Sequence, residues 1–149
     1  MKKILFVITT LVMAVLVIEA VSAVEVTPRS EGRTFTASDV KGRYVFSFQG
    51  EAVGLAVVAA TGVLTADGRG NITEGVRTIT VNGVATTQTF TCIVTVNPNG
   101  TGSAECLLDD PQGFPPEETF SFVLHDNGKA FKFVSTTAGL VLLGSGERQ

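Results

Sequence analysis

The chain has 149 residues, of which 44% are hydrophobic and only 17% charged, and its net charge is −3. Eleven basic against fourteen acidic residues, with no basic cluster, argue against nucleic acid or anionic lipid as a partner. One histidine and two cysteines leave too few ligands for a zinc site, so no metal is expected.

The chain starts "MKKILFVITTLVMAVLVIEAVSAVEV". Two lysines precede an apolar run from Ile4 to Ile18, and Val21-Ser22-Ala23 offers small residues at the −3 and −1 positions of a cleavage site. That three-part pattern reads as a signal peptide over residues 1–23, cut after Ala23. This run of fifteen residues falls short of the roughly 20 that span a bilayer. No cysteine stands near the cut to carry a lipid. The expected location is secreted or periplasmic, with no membrane span after cleavage. The mature chain would hold 126 residues, nine basic and thirteen acidic, enough for one domain with a core. Outside the cytoplasm, Cys92 and Cys106 are by default a disulfide.

Residues 24–41 are polar, carry Pro28 and Gly32 without periodicity, and read as a flexible tether. The domain over residues 42–149 is strands and turns. "YVFSF" alternates, with Tyr44, Phe46 and Phe48 on one side. "LAVVAATGVLTA" ends at the turn "DGRGN". "ITEGVRTITV" meets "VATTQTFTCIVTV" across Asn82-Gly83, a strong hairpin signal. Then follow "TGSAECLLD", the proline-rich "DPQGFPPEE", "TFSFVL", "HDNGK", "AFKFVS" and "GLVLLGSG". No window after the leader repeats at 3.6 residues. About eight antiparallel strands in meander order predict an all-β, up-and-down, calycin-like barrel, which abolishes exposed edges. The alternative is a two-sheet β-sandwich.

Turn chemistry sets the registers. With Pro98-Asn99-Gly100 as a three-residue loop, Asn97 faces Thr101 and Cys92 faces Cys106, in a pair close enough to bridge. A redox or metal role would need a Cys-x-x-Cys or clustered histidines, and neither is present. Taking Asn127-Gly128 as a two-residue turn sets Leu124 against Phe131 and Phe122 against Phe133. Phe46, Phe48, Phe90, Phe120, Phe122, Phe131 and Phe133 then share the interior. The outward faces carry Thr87, Thr89, Thr91 and Thr95, or Ser121 and Lys132. They suit lipid poorly, and the aromatic girdles of an outer-membrane barrel are missing.

Groups that could do chemistry are few. His125 is the only histidine and sits in a turn. "DGRGN" lacks the later ligands of a calcium loop. Asp109-Asp110 and Glu117-Glu118 flank the proline-rich connection and read as solvated rim charge, the alternative being that together they bind a cation. No cofactor motif is found. One polar pair stands out. The Asn82-Gly83 register opposes Arg77 to Gln88, and Gln88 shares a face with Phe90 and Cys92. Either Arg77 points inward beside Gln88, where it needs a partner, or a bulge at Gly75 returns it to solvent.

The run "GRYVFSFQG…ATGVLTADGRGNITEG…FTCIVTVNPNGTGSAEC…FSFVLHDNGKAFKFVST…LVLLGSG" resembles a group of uncharacterised secreted bacterial β-barrel proteins, similar to the calycin and allene oxide cyclase-like class. The resemblance covers Gly42 to Gly146 and rests on turn motifs, so it implies a barrel and carries no catalytic residue over. The leading expectation is an exported, non-enzymatic barrel binding a small apolar ligand or a partner protein, with Arg77, Gln88, Phe46, Phe48, Phe90, Phe122 and Phe133 as candidate contacts. The alternatives are a cyclase- or isomerase-type enzyme working in the cavity, and a structural envelope protein with a filled core. "LAVVAA" and "LVLL" are apolar on both faces. Their second face should meet either the tether, through Phe35, or another copy of the chain, through Val58 and Val141 or Leu142.

Overall fold

The computed structural model describes residues 32–111 and 113–149; the expected signal peptide, its expected cut after Ala23 and the first part of the expected tether lie outside these residues. Eight antiparallel strands close into one barrel in sequence order, so the sandwich alternative falls away. They are β1 (Lys41–Ala52), β2 (Ala56–Asp67), β3 (Asn71–Val81), β4 (Val84–Val96), β5 (Thr101–Leu108), β6 (Glu117–His125), β7 (Ala130–Ser135) and β8 (Leu140–Arg148). β8 returns to pair with β1, which removes both sheet edges. Among the described residues no helix is long and apolar enough to cross a membrane.

The hairpin registers follow the turn residues. Asn82 and Gly83 take positive φ, as a two-residue hairpin turn requires, and Arg77 pairs with Gln88. Asn97 N–H donates to Thr101 O (2.8 Å), Gly100 N–H donates to Asn97 O (2.9 Å), and Cys92 is bonded to the facing Cys106. Between β6 and β7 the expected pairing of Phe122 with Phe133 holds, but the strands stop at His125 and Ala130. The loop between them is four residues, with Asp126, Asn127 and Gly128 all at positive φ. Tertiary contacts shape it: Tyr44 Oη donates to Gly128 O (2.8 Å), and Asp39 packs against Gly128. Burial pushes the Tyr44 phenol pKa up.

Inside, phenylalanines face glycines. Phe46 pairs with Gly62, Phe90 with Gly75, Phe122 with Gly102, Phe133 with Gly144 and Phe131 with Gly146. A Cβ at any of these five glycines would collide with the ring opposite. At these positions the core fits together by large-against-small pairing across neighbouring strands, whereas Phe122 faces Phe133 and Tyr44 faces Leu64.

Two expectations about the outer wall are corrected. Val58 (0% exposed) and Leu142 (2%) lie inside the barrel, whereas Val57, Val141 and Leu143 point outward. A run that is apolar on both faces gives no parity signal, and the pairing of both Val58 and Leu142 with Gly50 sets which residues turn inward. Phe35 does not cover those strands. Its N–H donates to Pro98 O (2.9 Å) and its ring lies against Gly100, at the barrel end opposite the β1–β2 turn.

The packing predicts that Gly144→Ala lowers stability by about 1–3 kcal/mol through overpacking against Phe133. Ser145→Ala, one residue on and exposed, should stay within about 0.5 kcal/mol. Urea denaturation distinguishes them, and equal losses would contradict the ring-on-glycine packing.

Candidate functional site

A buried polar cluster sits inside the barrel toward the end that carries the β1–β2 and β3–β4 turns. Arg77 on β3 is 3% exposed, Gln88 on β4 1%, and Glu118 on β6 1%. Arg77 Nε donates to Gln88 Oε1 (2.8 Å), Nη1 to Glu118 Oε2 (2.7 Å) and Nη2 to Glu118 Oε1 (2.9 Å). This is a two-pronged guanidinium–carboxylate pair with a neutral amide at its third side. Gln88 Nε2 donates in turn to the backbone oxygens of Asp110 (3.2 Å) and Pro111 (2.8 Å). The guanidinium carbon lies 5.6 Å from the Phe48 ring centre and 5.9 Å from that of Phe114. Among the described residues no buried side-chain nitrogen or oxygen lacks a hydrogen bond.

Of the two placements open for Arg77, the inward one is found, and the reason is local. β3 does carry a bulge, between Ile72 and Gly75. It lies on the far side of Gly75 from Arg77, so the register set by the Asn82-Gly83 turn runs undisturbed through Arg77. The extra residue instead lets Ile72 and Gly75, three apart, both face inward.

Glu118 corrects the reading of the rim acids. It was expected in solvent with its neighbours, yet it is buried and paired. Asp109 stays exposed and accepts a hydrogen bond from Thr89 Oγ1 (2.7 Å). Among the described residues no group of three or more His, Cys, Asp or Glu side chains could hold a metal.

Beside the cluster lies a cavity of about 70 Å³. Phe46, Phe48, Phe90, Phe122 and Phe133 all line it, with Phe120, the disulfide, and Arg77 and Glu118 at its polar side. Gln88 is not part of the lining; it stands behind Arg77 and orients it. So six of the seven sequence candidates reach the cavity. Glu118 and Phe120 also line it without having been singled out as candidates for binding, as do Leu64, Ile72, Ala104, Leu108 and the two cysteines. Chemically the wall offers little reactivity. Both Glu118 oxygens accept from Arg77, which leaves the carboxylate poorly placed to take a proton from a substrate.

No protein-family model matches the chain, and no curated protein sequence matches it either. Solved structures similar in fold include "EF1p2_mFAP2b bound to DFHBI", with a TM-score of 0.56 and 14% identity, covering 80% of this chain and 100% of that one. At that identity the likeness concerns the barrel fold alone.

The burial of the cluster sets a test. Arg77→Met strands the Glu118 carboxylate in an apolar interior and should cost about 3–5 kcal/mol. The double variant Arg77→Met/Glu118→Leu removes both charges and should recover most of that loss. Urea midpoints measure both, and additive losses would contradict a mutually compensating pair.

Proposed function

We propose that this chain is an exported, non-enzymatic barrel that holds one small apolar molecule in its interior. The observation that carries this reading is the composition of the cavity wall. It is aromatic and aliphatic on nearly every side, and among the described residues the only charged groups that reach it are held by one another. A bound molecule would meet ring faces and methyl groups, and would gain chiefly from leaving water. The N-terminal leader pattern, the Cys92–Cys106 bond and the resemblance to secreted bacterial barrels support export. The similar barrel solved bound to DFHBI is in keeping with a fold of this kind taking a small molecule.

Size narrows the class. An apolar cavity of roughly 150 Å³ accepts benzene, and this one is about half that. The fitting ligand is therefore a compact hydrocarbon-like group, or the tip of a longer molecule whose remainder displaces the half-buried Phe122. Catalysis of the cyclase or isomerase sort would need a proton-moving group at the wall, and the commitment of Glu118 to Arg77 speaks against it.

Cyclopropane is a suitable probe, followed by amide and methyl chemical shifts of the mature protein. It should perturb residues around Ala104 and Phe122, and Ala104→Met, which fills the void, should abolish the effect while the fold persists. Absence of any perturbation in the wild-type protein would leave a filled structural barrel as the better reading.

A further inference from the structure

The outer wall bears an apolar patch with an ordered charge pattern around it. Gln49, Leu143 and Val134 lie side by side across β1, β8 and β7. In the next outward-facing row toward the β1–β2 turn, Glu51 lies beside Val141; in the row on the other side, Lys132 lies beside Ser145. Leu143 is 62% exposed, Val141 60% and Val134 44%. Glu51 and Lys132 thus stand on opposite sides of Leu143, each one strand and one row away. Among the described residues neither takes part in an ion pair within its own chain.

We propose that this face is the contact between two copies of the chain, related by a twofold axis through Leu143. Closed dimers of this kind use one self-complementary patch, in which residue i meets j and j meets i. An axis lying in the wall, perpendicular to the line from Glu51 to Lys132, sets each Glu51 on the second copy's Lys132. The same operation brings Val141 beside the second copy's Val134 and Leu143 against its own counterpart. A charge pattern antisymmetric about an apolar centre is what such an axis requires. The inverse arrangement, like charges at those two positions, would repel. The pairing also gives the apolar outer face of β8 an occupant, which Phe35 does not supply. Three strands and three rows span roughly 15 by 20 Å at ordinary sheet spacings, which is small for a specific interface. The dimer should therefore form at high micromolar concentration.

Sedimentation velocity on the mature chain tests this directly. The wild-type protein should sediment as a dimer at high micromolar concentration. Lys132→Glu and Glu51→Lys, both at exposed positions and folded by circular dichroism, should each raise the dissociation constant roughly tenfold or more. The double variant Glu51→Lys/Lys132→Glu recreates both pairs in reverse and should restore dimerisation. A wild-type protein that stays monomeric overturns the proposal. So does a dimer that the single reversals leave unchanged, or one that the double reversal fails to restore.

Discussion

The barrel depends on one steric constraint: its interior is too narrow for two large side chains to face each other everywhere on neighbouring strands. The sequence meets it by opposing phenylalanine to glycine. Gly144 lies between Phe48 and Phe133, and Gly146 between Phe46 and Phe131, so β8 gives up side chains where its two neighbours supply rings. Glycine is unfavourable in a strand on entropic grounds. Here that cost is offset by burying aromatic rings over the vacant Cα positions. Phe46 and Phe90, Phe48 and Phe133, and Phe120 and Phe133 then meet edge to face, a favourable geometry for ring quadrupoles.

The cavity and the polar cluster follow from the same packing. Rings anchored over glycines on several strands converge without filling the centre, and the residual space lies where β5 contributes the small Ala104 and Cys106 beside Leu108. Toward the end of the β3–β4 turn the lining changes character, because β3 offers Arg77 and β6 offers Glu118. A charge that far from water is tolerable only with its partner and remaining hydrogen bonds in place. The connection between β5 and β6 completes the set by presenting the backbone oxygens of Asp110 and Pro111 to Gln88. Fold and site are therefore one object. The loop that joins two strands also finishes the hydrogen bonding of the site.

Much of this was legible in the amino-acid order, for identifiable reasons. Asn82-Gly83 and Pro98-Asn99-Gly100 restrict the turn backbone so strongly that they fix register residue by residue, and the cysteine pair and the Arg77–Gln88 pair follow. Glu118 was legible too, since it keeps the two-residue spacing of Phe120 and Phe122. Its acidic neighbour and the preceding prolines pointed to a solvated rim instead. Val58 and Leu142 could not be assigned a side, because their strands are apolar on both faces. The backbone contacts from Asp110 and Pro111 had no sequence signature, since an irregular connection has no period to read. The resemblance to calycin-like barrels reached the architecture and went no further, because turn motifs report hairpins and not pockets.

The central claim is that ring-on-glycine packing leaves a dry, apolar void beside a self-contained ion pair. A crystal of the mature protein pressurised with xenon tests it most directly. The expected result is a single xenon peak among Phe46, Phe90 and Phe122, with Arg77 still forked onto Glu118. Ordered water in that space, or Arg77 turned away from Glu118 toward solvent, would contradict it.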